Sequence, residues 1–260
     1  MARHSFNAPD ARYWEDSWAA SDATSDRAGY LAACRVFDPV LRTLLPSTPG
    51  LQALEVGCYP GGFMHYLNQR WGYTVSGIDI VPGVDTLAAT LAEEGVRVGE
   101  VVRADFCTEP PRPSYDLVCS FGFIEHFDDP AAIITRHAAW VRPGGLLVVT
   151  VPNFRGGQWL LHRQWDRTSL ETHNLAAMSP GLLRTAFAFG GVAPLHVRRF
   201  GTCEFWVEPD EARSARASRT AGRVAGVLGK AGSLAKRVAG PCGVPNPILS
   251  PFLVAVGRKL

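Results

Sequence analysis

The 260 residues suffice for one large α/β domain with an embellishment, or for two small domains. With 47% hydrophobic and 19% charged residues, the make-up is that of a soluble globular chain, and no apolar run approaches the roughly 18 residues of a membrane span. The net charge of +2 is unevenly spread: seven of the 26 basic side chains fall in 212–240, where no acidic one occurs. The remainder is mildly acidic, which argues against a nucleic acid footprint spread over the protein.

The opening residues, MARHSFNAPDARYWEDSW, lack the apolar core of a signal peptide. The cysteines at 34, 58, 107, 119, 203 and 242 include no close pair of metal-ligand spacing. Several sit in apolar strand-like runs, as small buried residues in a reducing compartment do. A cytoplasmic protein without a metal centre is expected.

In chain order, Tyr13, Trp14 and Trp18 fall on nearly one helical face, and Tyr30 to Leu45 reads as a single helix ended by Pro46 and the Pro49-Gly50 turn. Leu51 to Val56 is a short buried strand running into Gly57, Pro60, Gly61 and Gly62, after which Phe63 to Gln69 is helical. Glycines let the main chain approach a ligand closely, and a helix start offers free N–H groups. Strand, glycine turn and helix together suit a nucleotide-like ligand, either a nicotinamide dinucleotide or S-adenosylmethionine.

Strand and helix then alternate. Tyr73 to Ile80 is a strand, Thr86 to Glu94 a helix, Val96 to Ala104 a strand and Tyr115 to Ser120 another. Pro130 to Val141 reads as a helix, and Pro143-Gly144-Gly145 turns into a strand from Leu146 to Val151. Asn153 to Asn174 is a polar and aromatic connection. A helix from Leu182 to Phe189, a strand from Val192 to Phe200 and a last strand from Pro251 to Val256 complete the order. This alternation predicts a doubly wound, mostly parallel sheet with helices on both faces. Ligands bind such sheets beyond the carboxyl ends of the strands, where strand order reverses.

Asp79 lies 22 residues after Gly57, at a strand end, where an acid can accept hydrogen bonds from both ribose hydroxyls of either cofactor. Ala104-Asp105-Phe106 offers a carboxylate for an adenine amino group beside an aromatic face. With LEVGCYPGGF, VSGIDI, RADF, YDLVCSFGFIEHFDDP and VRPGGLLVVTVPN in this order and spacing, the chain resembles the class I S-adenosylmethionine-dependent methyltransferases over about residues 50–200. The likeness is to the small-molecule type 11/12 group.

The resemblance implies a Rossmann-like, seven-stranded α/β fold in a single domain over 1–260. Its parts would be an N-terminal helical lid (1–46), a cofactor-binding core (47–200), a basic helical insertion (201–248) and the last strand (249–260). S-adenosylmethionine would be the cofactor. Glu55, Gly57, Cys58 and Gly61 would hold its methionyl end, Asp79 and Ile80 its ribose, Asp105 and Phe106 its adenine. Ser120 and Phe121 would touch it from the fourth strand, and Tyr13 and Trp14 would cover it. Tyr59-Pro60 departs from the family's common pattern at the turn.

Candidate bases for the acceptor are His126 and His173, each with an ordinary packing role as the competing account. Asn153, Trp159 and Trp165, on the segment leaving the fifth strand, are the expected substrate wall. Oxygen is the favoured acceptor atom, on a secondary metabolite or a sugar-containing metabolite, with nitrogen next. An RNA or protein methyltransferase and a cofactor-binding protein without catalysis are the rivals. The basic stretch can lie on an anionic membrane surface or grip an acidic partner, but glycines 222, 226, 229 and 232 weaken a helix there. A solvated appendage is the favoured account.

Overall fold

The computed structural model describes residues 9–19, 27–207 and 215–260, with side chains of the last stretch described from 219. Other parts of the N-terminal segment and of the basic stretch, Arg213 included, lie outside the described residues. After helix α1 (Ala11–Ala19) come α2 (Arg27–Ala33), a 3-10 turn over Cys34–Phe37 and α3 (Asp38–Leu44). The single helix expected over 30–45 is therefore broken. Pro39, at the start of α3, has no amide to donate, so it favours a new helix start over continuation of the old one.

Next come β1 (Gln52–Val56), α4 (Gly62–Trp71), β2 (Thr74–Asp79), α5 (Val84–Glu93), β3 (Val98–Arg103) and β4 (Tyr115–Phe121). They are followed by α6 (Pro130–Ala138), β5 (Val141–Pro152), α7 (Gly157–Trp165), α8 (Arg167–Glu171), α9 (Pro180–Phe189), β6 (Val192–Phe200), α10 (Ala215–Ala239) and β7 (Phe252–Lys259). The seven strands form one sheet in the order β3-β2-β1-β4-β5-β7-β6. Pairing is parallel from β3 to β5, and β7 runs antiparallel to β5 and β6. The Rossmann-like doubly wound architecture is thus present.

The strands read as continuous apolar runs because the sheet is covered on both faces. Ala53, Leu117, Leu146, Val148 and Val254 pack with α3, α4 and α5, through Leu41, Met64, Leu67 and Leu91. Their neighbours Leu54, Val118, Leu147, Val149 and Leu253 pack on the other face with α6 and α9, through Ile134, Ala138, Leu183 and Phe187. Adjacent residues of one strand therefore serve opposite layers, as the period of two requires.

Two boundaries differ from expectation. The α6 helix stops at Ala138, and the strand begins at Val141, opposite Tyr115; the ladder then resumes at Leu117–Leu146, which leaves Arg142 to Gly145 looped out of register. The connection after β5 contains α7 and α8. A buried polar set holds that pair together: Asp166 accepts from Ser169 N at 3.1 Å to cap α8 and binds Nδ1 of His162 at 2.8 Å.

The basic stretch forms a 25-residue helix in α10. Ala221 and Gly232 are buried, and a Cβ on Gly232 would run into the Thr202 carbonyl. Lys236 meets Glu204 at 2.5 Å beside that contact. The helix is docked rather than merely solvated, although Val227, Leu234 and Val238 remain exposed. Among the described residues no helix is long and apolar enough to cross a membrane.

The glycines of α10 make opposite predictions. A Cβ at Gly226 meets nothing within 4 Å, so Gly226→Ala should strengthen the helix by up to about 1 kcal/mol. Gly232→Ala should loosen it. Amide hydrogen exchange along α10 reads both, and equal protection in the two variants would contradict docking through Gly232.

Candidate functional site

The β1 strand pairs with β2 on one side and β4 on the other, so strand order reverses beside it. A cavity of about 590 Å³ opens at the carboxyl ends of these strands. Gly57 and Tyr59, of the turn from Gly57 to Gly61, line its floor. Gly57 has φ 72° and Gly61 φ 86°, and the Tyr59–Pro60 peptide is cis. A Cβ at Gly57 would stand 2.6 Å from the Phe123 ring, so both conformation and space demand glycine there.

Arg27 of α2 pins this turn from above. Its Nη1 donates to the Pro60 carbonyl at 3.1 Å, while Nε and Nη2 each donate to a carboxylate oxygen of Glu94 at 2.9 Å. Nothing in the sequence around Arg27 or Glu94 announced that clamp.

Glu55, the last but one residue of β1, lines the cavity and is 3% exposed. Its Oε2 has no hydrogen-bond partner among the described residues. Burial, and then the nearby Asp79 carboxylate, push its pKa well above the ordinary value. A desolvated acid with one unpartnered oxygen is a site for a cation, and the methionyl end of S-adenosylmethionine carries an ammonium and a sulfonium. The residues present fit that group.

Asp79 ends β2. Its Oδ2 accepts from Tyr59 N at 2.9 Å, and its Oδ1 from Ile80 N at 2.7 Å and Val81 N at 3.3 Å. Burial raises its pKa in spite of these amides. A carboxylate has room for about four donors, so with three amides bound capacity remains for about one hydroxyl. Ile80, 39% exposed, forms an apolar wall beside it. After β3, Asp105 and Phe106 line the far wall, with Asp105 Oδ1 accepting from Cys107 N at 2.8 Å.

The β4 end supplies Phe121, Gly122, Phe123, His126 and Phe127. Phe121 stacks on Phe63 of α4 with ring centroids 3.8 Å apart. The α1 helix closes the mouth: the Trp14 ring stands edge-on to His126 at 4.6 Å, and Trp18 to Tyr59 at 5.9 Å.

His126 is almost wholly buried, and burial lowers its pKa to about 4. Nδ1 lies 2.9 Å from the Thr172 carbonyl. A carbonyl only accepts, so Nδ1 carries the hydrogen and Nε2 the lone pair. The His173 ring lies against it, centroids 4.4 Å apart, with its own Nδ1 directed at the Ser169 carbonyl. Here the fold brings together two histidines that are far apart in the chain. Glu125, which sequence reasoning passed over, completes a close set with them.

Other expected site residues stand back from the cavity wall. Ser120 is completely buried within the sheet, and the Cys58 thiol lies against Gly77. Gly61 abuts Leu87 and Leu91, and Tyr13 packs edge-on to Trp14. Asn153 is buried, its amide donating to the carbonyls of Ser250 at 2.8 Å and Pro247 at 3.3 Å, so it steadies the approach to β7. Trp159 lies under the Arg163 guanidinium on α7, and Trp165 ends the same helix. Trp14, Phe123, His126 and Phe127 wall the cavity beside β4 and α1.

A family model described as "Methyltransferase domain" matches residues 27–187. The ubiquinone biosynthesis O-methyltransferase of Xylella fastidiosa (strain M23) is 36% identical over 110 residues, 41% of this chain and 44% of that protein. That of Bradyrhizobium diazoefficiens is 34% identical over 131 residues, 49% and 50% of the two chains. The matched stretches thus span about half or less of these relatives. Among solved structures, an S-adenosylmethionine-dependent methyltransferase from Mesorhizobium loti is similar with TM-score 0.56 and 20% identity, covering 86% of this chain and 98% of that one. A phosphoethanolamine N-methyltransferase 2 from Haemonchus contortus gives TM-score 0.57 and 15% identity, covering 95% and 60%. At these identities the structural likeness speaks to the fold.

Glu55 offers a pH test. A carboxyl whose pKa is higher folded than unfolded leaves stability intact below its ordinary value of 4.5 and lowers it as pH rises through the folded pKa. Glu55→Gln should therefore raise the Tm of the cofactor-free protein at neutral pH, with the gain disappearing near pH 4. Thermal melts across that range check it, and a pH-independent difference would refute the buried-acid account.

Proposed function

The chain belongs to the methyltransferase-domain family and is an S-adenosylmethionine-dependent enzyme; on that premise we propose that it methylates an oxygen of a small-molecule acceptor. The observation that carries this reading is the pair His126–His173 beside the aromatic end of the cavity. A hydroxyl acceptor must lose a proton as it is methylated, and that is where a group is needed to deal with it. Curated relatives named as ubiquinone biosynthesis O-methyltransferases support the same acceptor atom.

The cofactor supplies a methyl group on a sulfonium, already a good electrophile. The protein's part is placement. Glu55 and the glycine turn take the cationic methionyl end, Asp79 with Ile80 the ribose, and Asp105 with Phe106 the adenine. Phe121 and Trp14 close over the bound molecule and exclude water. Cys58 and Ser120 contribute through backbone position, since their side chains stand behind the wall, and Gly61 contributes only its backbone.

The acceptor then lies between Trp14, Phe123 and Phe127. A flat, partly apolar molecule suits these rings better than a bare sugar. Alignment of its oxygen with the carbon–sulfur bond supplies much of the rate. The oxygen forms its bond to the methyl carbon as the bond to sulfur breaks, and its proton leaves. In the simplest form of this reading, Nε2 of His126 receives it.

Two measurements test the proposal. Calorimetry of Asp79→Ala should show cofactor binding lost, and unchanged affinity would refute the ribose assignment. Incubation of the purified chain with methyl-labelled cofactor and a cell extract, including intermediates of ubiquinone biosynthesis, should place one methyl mass on an oxygen of a small molecule. Label in RNA or protein, or on nitrogen, would overturn it.

A further inference from the structure

Glu125 is the least explained residue of the molecule. It sits in the 3-10 turn after β4, is 1% exposed, and neither carboxylate oxygen has a hydrogen-bond partner among the described residues. A buried carboxyl left unpaired is costly, because the hydrogen bonds it made to water are not replaced. The same burial lifts its pKa to about 8. Nothing in the sheet or its helices needs an acid at this point.

Its neighbours are what a cation requires. One ligand atom each from Glu125, His126 and His173 lie within 4.8 Å of one another. Ligands about 2.1 Å from an ion stand up to about 4.2 Å apart, so a small inward movement completes the set. Both imidazoles also have the outer contact that metal-bound histidines show. Nδ1 of His126 faces the Thr172 carbonyl at 2.9 Å, and Nδ1 of His173 faces that of Ser169. These contacts fix the tautomer and leave the Nε2 lone pair as the donor in each ring.

We propose that Glu125, His126 and His173 bind one divalent transition-metal ion at the acceptor end of the cavity. Two imidazoles and one carboxylate suit a first-row transition ion better than Mg2+ or Ca2+, which prefer oxygen ligands throughout. The three ligands come from two turns, 124–126 and the segment after α8, which Asn174 N also joins by donating to the Glu125 carbonyl at 2.6 Å. Three protein ligands leave coordination positions open, and His126 itself lines the cavity.

The ion's role rests on the O-methylation reading above; its binding does not. A cation here lowers the pKa of an acceptor hydroxyl, so the proton passes to solvent instead of to His126. The histidines then act as ligands, in place of the simpler base role.

Co2+ is the probe, because its visible absorption reports nitrogen and oxygen ligands without any turnover. Titration of the full chain, without a histidine tag and after treatment with a chelator, should give one Co2+ per chain with a saturating visible band. Glu125→Gln keeps shape and removes the charge, and His173→Asn removes a ring nitrogen; each should weaken binding at least tenfold with the far-ultraviolet spectrum unchanged. No band up to millimolar Co2+, or equal binding by the wild type and both variants, overturns the site. Co2+ bound without an O-methylated product would leave the ion site standing and sink the acceptor reading. An O-methylated product with no Co2+ bound would do the reverse.

Discussion

Strand β1 is hydrogen-bonded on both edges, to β2 through Gln52–Thr74 onward and to β4 through Ala53–Leu117 onward. The chain leaves β1 in one direction, builds β2 and β3, and must return across the sheet to lay down β4. The loops after β1 and β4 consequently diverge toward opposite layers, and a crevice stays open where they part. Glu55, Gly57, Asp79, Ile80, Asp105, Phe106 and Phe121 all stand on the wall of that crevice. The turn from 57 to 61 is held from below by the Asp79 carboxylate accepting from Tyr59 N, and from above by Arg27 donating to the Pro60 carbonyl.

That geometry concentrates negative charge in a dry place. Burial raises both Glu55 and Asp79, and the Asp79 carboxylate raises Glu55 further. Asp79 is compensated by backbone amides, whereas Glu55 has an oxygen with no partner within the described chain. The apo fold is thus locally unfavourable in the place where a cationic ligand relieves it. Glu125 repeats the pattern at the other end of the cavity, with imidazoles in place of amides beside it.

The parallel strands were legible because two-sided burial makes them unbroken apolar runs, and the acids at 79 and 105 because each directly follows one. The α7–α8 pair was not, since it is tied together by Gln158, His162 and Asp166, a buried polar set that in sequence looks like a solvated loop. Asn153 and the tryptophans at 159 and 165 are expected at the substrate wall from their position after β5; the chain there turns toward 247–250, and none of the three lines the cavity beside β4. Glu125 stayed hidden for a different reason. In EHFDDP it resembles a solvated acid, and its burial comes from the segment around Thr172 to Asn174, which local pattern does not reveal. Membership of the family was legible, while the glycine-rich stretch of α10 gave no sign of Gly232 docking on Thr202.

The α1 helix has no buried residue of its own and touches the cavity rim through the edges of Trp14 and Trp18. Trp14 and Trp18 pack on the core from its surface, so α1 is held there mainly by two side chains and is among the elements whose local opening costs least. On the proposed reading, cofactor, acceptor and both products share the entrance that it covers. The pace of the catalytic cycle is then a matter of traffic as much as of bond making: a more tightly held α1 retains reactants and also traps the spent cofactor. Sequence drift within 11–19 would retime the enzyme while leaving its chemistry intact.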